Sequence, residues 1–174
     1  MKNNIVLITG SNGLIGSELG SVLAAQDFKV YGLPHEELTD PNLSKTIADI
    51  NPSYLFHLAA YANHSNQTDD DMTIASNIVG TYLLLKATKD LDYTAFINVS
   101  SSSVYGTKRE PMSELMTLDT DTMYGASKVS GEYLARAFAK QYNKPICSVR
   151  PFSAYLTIYM VCLPCFMSPL WYVI

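Results

Sequence analysis

Cysteine is absent from the first 146 residues, and the whole chain has three, Cys147, Cys162 and Cys165. Three cysteines near one end make no disulfide framework, so we expect a reducing compartment, the cytoplasm. The CLPC motif lacks further ligands, so no metal site is predicted. Basic residues are also sparse, with no cluster larger than Lys108-Arg109 and a formal net charge of −4. A basic surface is needed to bind nucleic acid, so no nucleic-acid partner is predicted.

Long apolar runs are missing until the end of the chain. The run at 5–9 is too short for a secretory signal and leads into a glycine-rich loop. After Arg150, by contrast, no residue carries a formal charge. This tail could be a membrane span, a buried strand with a core helix, or a truncated or frame-shifted end. Pro164, Pro169 and the lack of flanking basic residues disfavour a span, so no membrane partner is expected.

What the sequence does have is an alternation of strand-like apolar runs and helical patterns. Strands are predicted at 5–9, 29–33, 54–58, 95–100 and 146–149, and helices at 13–26, 43–50, 73–89 and 124–141. Such alternation predicts a doubly wound, Rossmann-type α/β fold with a mostly parallel sheet and helices on both faces. Only the stub PHEELTD lies between Leu33 and Leu43, so the usual second helix is expected to be missing or nearly so.

The segment TGSNGLIG, residues 9–16, connects the first predicted strand to the first predicted helix. Gly10 permits a tight turn, Gly13 lets a pyrophosphate approach the backbone, and Gly16 lets the helix pack closely on the strand. Free N–H groups and the helix dipole then hold phosphates. The alternative is a glycine-rich turn without a ligand, but the strand-loop-helix context favours dinucleotide binding.

The second predicted strand indicates which dinucleotide binds. A carboxylate that accepts a hydrogen bond from the ribose 2′-hydroxyl is expected where this strand ends. The strand ends in Leu33-Pro34-His35, and the next acids are Glu36 and Glu37. No arginine occurs before Arg109, so a guanidinium partner for a 2′-phosphate is also absent. NAD is therefore favoured, with NADP as the alternative.

Two further segments carry potential chemistry. NVSSSSVYG follows the fourth predicted strand, and YGASK opens the last predicted helix. Tyr124 and Lys128 are four residues apart and share a helix face. A nearby lysine cation is expected to lower the pKa of the phenol towards a working range. A serine hydroxyl can then share the proton with a substrate oxygen.

Taken together, the sequence resembles the extended short-chain dehydrogenase/reductase family, in particular its NAD-dependent sugar-nucleotide epimerase/dehydratase branch. The motifs that carry the resemblance are TGSNGLIG, HLAA (57–60), NIVGT (77–81), SSSSVYG, YGASK and RPFSAY. The resemblance spans residues 5–155, so 1–155 is predicted to be the NAD(P)-binding domain. It breaks off within a family motif, which favours a truncated or frame-shifted end for residues 156–174.

The resemblance also implies roles for individual residues. It implies that Ser101 is the catalytic hydroxyl, that Tyr124 is the acid/base, and that Lys128 holds the nicotinamide ribose. It places Ser153 near the nicotinamide end, together with Asn77. His57 is expected to be structural. The cofactor-binding residues it implies are Gly10, Asn12, Gly13, Leu14, Ile15, Gly16, Glu37, Leu38, Ala59, Ala60, Tyr61, Asn77 and Lys128.

One difference between this sequence and the family's dehydratases narrows the choice of reaction. Ser102 and Ser103 stand where the family's dehydratases carry an acidic pair. This disfavours dehydration and leaves epimerisation of a nucleotide sugar, with 4-keto-sugar reduction as the alternative. The resemblance implies a homodimer in which helices 73–89 and 124–141 form a four-helix bundle. A non-catalytic dinucleotide-binding module and a tail-anchored membrane protein remain as alternatives from other classes.

Overall fold

The computed structural model describes residues 3–61 and 68–152. The strands are β1 (Ile5–Thr9), β2 (Lys29–Leu33), β3 (Tyr54–His57), β4 (Ala95–Val99) and β5 (Ile146–Val149). The helices are α1 (Leu14–Ala24), α2 (Leu43–Ile50), α3 (Asp70–Ile74), α4 (Gly80–Thr88) and α5 (Met123–Tyr142). A π-helical turn, Ala75–Val79, joins α3 to α4, and 3₁₀ turns span His35–Thr39 and Ser102–Tyr105.

The five strands form one parallel sheet in the order β2-β1-β3-β4-β5. The prediction of a doubly wound α/β fold is confirmed. Strand order reverses between β1 and β3, and ligands in such sheets bind at the carboxyl ends of the strands beside this reversal. His57 is in register with Thr9 on one side and Asn98 on the other, so these three strand ends lie at one edge.

The central strands β1, β3 and β4 are buried on both faces of the sheet, which explains why each is a mostly apolar run instead of an alternating one. On one face, Leu7, Leu55 and Phe96 form a core cluster with buried residues of α2, α4 and α5. On the other face, Val6, Ile8, Phe56 and Ile97 pack with buried residues of α1. The sheet is therefore held from both sides, and its carboxyl edge is left for the loops.

The connection from β2 to β3 contains a short 3₁₀ turn followed by helix α2. Between Leu33 and Leu43 the chain forms only the 3₁₀ turn His35–Thr39, as the stub PHEELTD predicts. Helix α2 then ends at Asn51, which adopts a left-handed conformation (φ 47°). Asn tolerates this region better than most side chains, and Pro52 follows directly.

In the part of the chain that is described, no helix has the length and apolar composition needed to cross a bilayer. Several sequence-based expectations lie outside the described residues. They concern Ser153, the CLPC motif and the apolar tail at 156–174.

Candidate active site

The carboxyl edge of the sheet collects the segments that the sequence singles out. The glycine loop follows β1, residues Ala59–Tyr61 follow β3, and Ser101 follows β4. The first turn of α5 brings Tyr124 to the same edge, because Tyr124 contacts Ser101. Segments far apart in sequence therefore meet beside the reversal of strand order.

Two glycines of the loop occupy positions that exclude any side chain. Gly10 has φ 69°, and a Cβ built on it would lie 2.7 Å from the backbone nitrogen of Ala59. A Cβ on Gly16 would collide with the carbonyl oxygen of Gly10. Gly13 is less constrained, since its Cβ would lie 3.3 Å from that oxygen. Gly10 and Gly16 thus set the tight turn and the close approach of α1 to the strand.

Helix α1 presents an uncapped N-terminus towards this edge. Gly13 is its N-cap and provides no side-chain hydrogen bond. The first N–H groups of an α-helix, here those of Leu14 and Ile15, have no intrahelical acceptor. Asn12 and Leu14 are exposed and Ile15 is half-buried. The glycine cradle and these free donors together fit a pyrophosphate.

The expected adenine end has one exposed and one buried residue. Glu37 lies on the exposed side of the 3₁₀ turn. The Leu38 side chain is 1% exposed and packs against α4 at Gly80. Its side chain therefore belongs to the hydrophobic core. Sequence reasoning missed Gly32, where a Cβ would overlap the Ser11 side chain of the glycine loop.

Asn77 ties the segment after β3 to the helices. Its side-chain oxygen accepts a hydrogen bond from the Tyr61 N–H at 2.7 Å, and its Nδ2 donates to the Tyr61 carbonyl at 3.0 Å. Nδ2 also donates to the Ser127 hydroxyl at 3.0 Å. Asn77 is 3% exposed, while Ala60 and Tyr61 are half-buried at the edge. Its amide thus fixes the backbone of Tyr61.

The Ser101, Tyr124 and Lys128 side chains lie together. Thr122 caps α5 by accepting a hydrogen bond from the Gly125 N–H at 3.0 Å, so Tyr124 falls in the first turn. The Tyr124 phenol lies close enough to the Ser101 hydroxyl to interact with it. The Lys128 ammonium lies 5.8 Å from the centre of the Tyr124 ring and donates to the Val99 carbonyl at 3.0 Å.

The expected effect of Lys128 on the phenol does not hold in this structure. Burial raises the pKa of Tyr124, and the hydrogen bond with Ser101 only partly opposes this. Lys128 is itself buried, which lowers its pKa to about 8. Its ammonium is held by the Val99 carbonyl rather than by the phenol oxygen. The geometry of the pair is as predicted, but desolvation dominates the ionisation of the phenol.

The Ser101 hydroxyl has a second partner in Ser103. It lies 3.1 Å from the Ser103 hydroxyl and also accepts a hydrogen bond from the Ser103 N–H at 3.1 Å. A serine hydroxyl carries one proton. Ser101 therefore donates a hydrogen bond either to Ser103 or to an oxygen on the Tyr124 side. A substrate oxygen on that side can accept this hydrogen bond.

Arg150 and Glu132 form a brace that sequence reasoning missed. Arg150 donates to both carboxylate oxygens of Glu132, at 2.8 and 2.7 Å, and to the Tyr105 hydroxyl at 2.9 Å. The hydrogen bonds with Glu132 are the main reason that the pKa of Arg150 is raised. This brace links the end of β5 to α5 and to the 3₁₀ turn that follows Ser101. The signal in the sequence is Arg150 itself, the last charged residue.

A separate groove of about 590 Å³ opens beside this brace. It is lined by the 112–118 loop, Tyr133, Arg150 and Phe152, and shares no residue with the serine-tyrosine-lysine cluster. Among the described residues, no group of three or more His, Cys, Asp or Glu side chains is placed to hold a metal ion. The chemistry of the edge therefore centres on Ser101, Tyr124 and Lys128.

Comparison with known proteins agrees with this arrangement. A UDP-glucose 4-epimerase from Mycolicibacterium smegmatis is 30% identical over 86% of this chain and 56% of its own length. A dTDP-D-glucose 4,6-dehydratase from Dictyostelium discoideum is 27% identical over 86% of this chain and 44% of its own. The crystal structure of a UDP-glucuronic acid 4-epimerase from Bacillus cereus in complex with NAD superposes with a TM-score of 0.80 and 30% identity. It is matched over 87% of this chain and 57% of its own.

The chain thus spans about half the length of the relatives it matches. A profile described as "NAD dependent epimerase/dehydratase family" matches residues 6–157, which includes the glycine loop and the serine-tyrosine-lysine cluster. The chain belongs to the NAD-dependent epimerase/dehydratase family.

Proposed function

We propose that this chain is the cofactor domain of an NAD-dependent nucleotide-sugar epimerase. The observation that carries the proposal is the contact between Tyr124 and Ser101, one helical turn from Lys128 and at the same sheet edge as the glycine loop. The proposed domain is residues 1–155, with 156–174 as a tail that does not belong to it. The proposed catalytic residues are Ser101, Tyr124 and Lys128.

NAD is the proposed cofactor. The glycine cradle, the open N-terminus of α1 and the exposed Glu37 fit its pyrophosphate and adenosine end. Lys128 has three N–H donors and gives one to Val99, so two remain for ribose hydroxyls. The similar Bacillus cereus structures were solved with NAD, which supports NAD over NADP.

The residues around Tyr124 supply proton handling. Ser101 donates a hydrogen bond to a sugar oxygen, and Tyr124 exchanges a proton with the same oxygen. Since burial raises the pKa of Tyr124, the phenol is protonated at rest and is suited to giving its proton to a keto oxygen. Removing the proton of a sugar hydroxyl requires the phenolate, which a Lys128 ammonium turned towards it would stabilise. NAD held by the glycine loop and Lys128 would supply reversible hydride transfer at a sugar carbon, so no cofactor would be consumed overall.

Ser102 and Ser103 favour epimerisation over dehydration. Their hydroxyls cannot do the work of a carboxylic acid that protonates a leaving hydroxyl. Ser103 instead hydrogen-bonds Ser101. The alternative is a 4-keto-sugar reductase, which the same three catalytic residues would serve and which would consume NADH or NADPH.

We propose a nucleotide sugar as substrate and expect little or no turnover by the 174-residue chain alone. One similar structure was solved with UDP-glucuronic acid and NAD, which supports the substrate class. This chain covers 57% of that protein. Contacts with remote parts of a substrate support catalysis, so losing them lowers the rate as well as the affinity.

We further propose a homodimer through a four-helix bundle made by α4 and α5 with their copies. Large apolar side chains are exposed on these helices and on the segment that leads into α4: Ile74 at the end of α3 (40%), Val79 in the π-helical turn (44%), Tyr82 in α4 (41%) and Tyr133 in α5 (56%). The Tyr82 and Phe138 rings, 6.3 Å apart, join α4 to α5 on this surface. Burial of these side chains against a second copy would remove them from water.

The test is calorimetric titration of the full chain with NAD, using two lysine variants. Lys128 and Lys144 each donate to a backbone carbonyl, at 3.0 and 2.7 Å, but Lys144 lies at the other end of the sheet, bonded to Leu91. We expect Lys128→Met to weaken NAD binding about tenfold or more, because a charged hydrogen bond is lost, and Lys144→Met to leave it unchanged. Equal affinities in the two variants, or no binding by the wild type, would contradict the proposal.

Product analysis separates the chemical alternatives. The chain is incubated with UDP-glucuronic acid and NAD, and the sugar and the cofactor are followed together. Formation of an epimer with NAD unchanged identifies an epimerase, and net oxidation of NADH with a keto-sugar substrate identifies a reductase. Brisk epimerisation would support the reaction and overturn the expectation of low turnover.

A further inference from the structure

A chain of buried hydrogen bonds crosses the carboxyl edge of the sheet, and His57 is its centre. Its Nδ1 lies 2.7 Å from the Thr9 hydroxyl, and its Nε2 lies 2.8 Å from the Thr81 hydroxyl. The Thr9 oxygen also accepts the Ala59 N–H at 3.1 Å. The Thr81 hydroxyl donates to the Asn77 carbonyl at 2.6 Å. All five residues are at most 3% exposed, so water does not compete for these bonds.

The donor and acceptor of every hydrogen bond in this series can be assigned from the number of protons that each side chain carries. Thr81 has one hydroxyl proton and uses it on the Asn77 carbonyl. If Thr81 donated to His57 instead, two oxygen lone pairs would face each other at 2.6 Å. His57 Nε2 must therefore carry a proton and donate it to Thr81. Nδ1 is then an acceptor and takes the Thr9 proton, which leaves the Thr9 oxygen free to accept the Ala59 N–H.

A protonated His57 does not fit this pattern. Its Nδ1–H would point at a Thr9 hydroxyl that would have to turn its own proton away, with no acceptor assigned. Burial and, to a smaller degree, the charge of Lys128 lower the pKa of His57 to about 3. The imidazole is therefore neutral at physiological pH, in a single tautomer.

Both ends of this chain of hydrogen bonds reach residues of the proposed active site. Thr9 is followed by Gly10, whose Cα faces the Ala59 nitrogen so closely that a Cβ would lie 2.7 Å away. At the other end, the Asn77 side chain binds the Tyr61 backbone and the Ser127 hydroxyl, and Ser127 donates to the Tyr124 carbonyl at 2.7 Å.

We propose that His57 is a positioning residue for the cofactor site: its neutral Nε2–H tautomer holds Thr9 so that the Ala59 N–H and the start of the glycine loop keep the geometry that NAD requires. This rests on the proposed NAD site, but the hydrogen-bond pattern itself does not. Sequence reasoning treats His57 as structural only, because the partner threonines are 48 and 24 residues away.

The first test needs no variant and no cofactor. Nitrogen-15 spectra of the histidine rings of the intact chain distinguish the Nε2–H tautomer, the Nδ1–H tautomer and the cation. We expect one ring to remain in the Nε2–H form well below the pH at which ordinary histidines take up a proton, with slow exchange of the Ala59 amide. An Nδ1–H tautomer or a cation at neutral pH would overturn the proposal.

The second test measures NAD affinity against stability. His57→Phe keeps a ring of similar size but removes both hydrogen bonds, and His57→Gln restores one donor and one acceptor. Thr88→Val is the matched control, because Thr88 is fully buried in α4 and its hydroxyl bonds the Leu84 and Leu85 carbonyls, away from the His57 chain. Urea unfolding and calorimetric NAD titration are run on each.

We expect His57→Phe to weaken NAD binding about tenfold, His57→Gln to recover part of it, and Thr88→Val to lose stability without losing affinity. Wild-type affinity in His57→Phe would overturn the proposal. If His57→Phe does not fold, Thr81→Val takes its place; it removes the acceptor of the Nε2 proton and the donor to the Asn77 carbonyl, and leaves the imidazole in the chain. If the wild type does not bind NAD, the proposed function fails, and the ring spectra still decide the hydrogen-bond pattern.

Discussion

Replacing His57 should change how the stability of the protein depends on pH. The pKa of His57 is about 3 when folded and 6.5 in the unfolded chain. Because the folded pKa is lowered, the neutral imidazole contributes fully above 6.5, and its contribution is lost as the pH falls from 6.5 towards 3. One proton taken up only by the unfolded state costs about 1.4 kcal/mol per pH unit, or about 2 kcal/mol between about pH 7 and about pH 5.

The assay is urea unfolding followed by circular dichroism at both pH values, for the wild type and for His57→Gln. Other histidines and carboxylates are present in both proteins, so their contributions cancel in the difference between the two slopes. We expect His57→Gln to lose about 2 kcal/mol less than the wild type on acidification. The Thr88→Val variant should keep the wild-type dependence. Equal losses in the wild type and His57→Gln would refute the claim that this imidazole is buried and neutral.

Two further predictions concern the brace and the helical surface. Arg150→Met should destabilise the fold by about 3 kcal/mol, because it leaves the Glu132 carboxylate buried without its partner. Lys45→Met, in the exposed pair with Asp49, should leave the stability nearly unchanged, because water screens that pair. Urea unfolding compares the two variants, and equal losses of stability would contradict the brace. Val79→Arg should convert the proposed dimer to a monomer in light scattering, since it would bury a charge at the interface. The control is Leu115→Arg, which should leave the dimer intact because Leu115 is 91% exposed and lies outside the helices. A monomeric wild type would contradict the dimer.

Much of the fold could be predicted from local patterns. β1, β2 and β5 have the predicted bounds because each is a short apolar run between turn residues. Helix α5 has the predicted position to within one residue at each end, since Thr122 caps its start and Asn143 ends it in a left-handed conformation. These signals are local, so periodicity and capping chemistry suffice.

The rest depended on contacts that no local pattern contains. The predicted helix 73–89 begins earlier, at Asp70, and is interrupted by the π-helical turn Ala75–Val79, which leaves Asn77 able to reach Tyr61. Tyr124 and Lys128 share a helix face as their spacing predicts. The predicted lowering of the pKa of Tyr124 was wrong, because burial of the phenol raises it. That burial depends on all the segments that meet at the carboxyl edge of the sheet, which no local pattern contains.

The proposed cofactor site also has one feature that could be predicted from local sequence and one that depends on a long-range contact. The spacing of Gly10 and Gly16 predicts a cradle, and both positions reject a Cβ in the structure. Leu38, expected beside the adenine, has its side chain in the core because it packs against α4 at Gly80. That contact joins residues 42 positions apart in sequence.

The most direct test of the account is an NAD titration of two alanine variants in the same helix. A Cβ on Gly16 collides with the Gly10 carbonyl, while a Cβ on Gly20 meets nothing closer than 3.8 Å. If the glycine loop is the NAD cradle, Gly20→Ala will bind NAD like the wild type, and Gly16→Ala will lose NAD binding while remaining folded by circular dichroism. If Gly16→Ala bound NAD with wild-type affinity, the glycine loop would not be the cofactor cradle, and the proposal of an NAD-dependent enzyme would be contradicted.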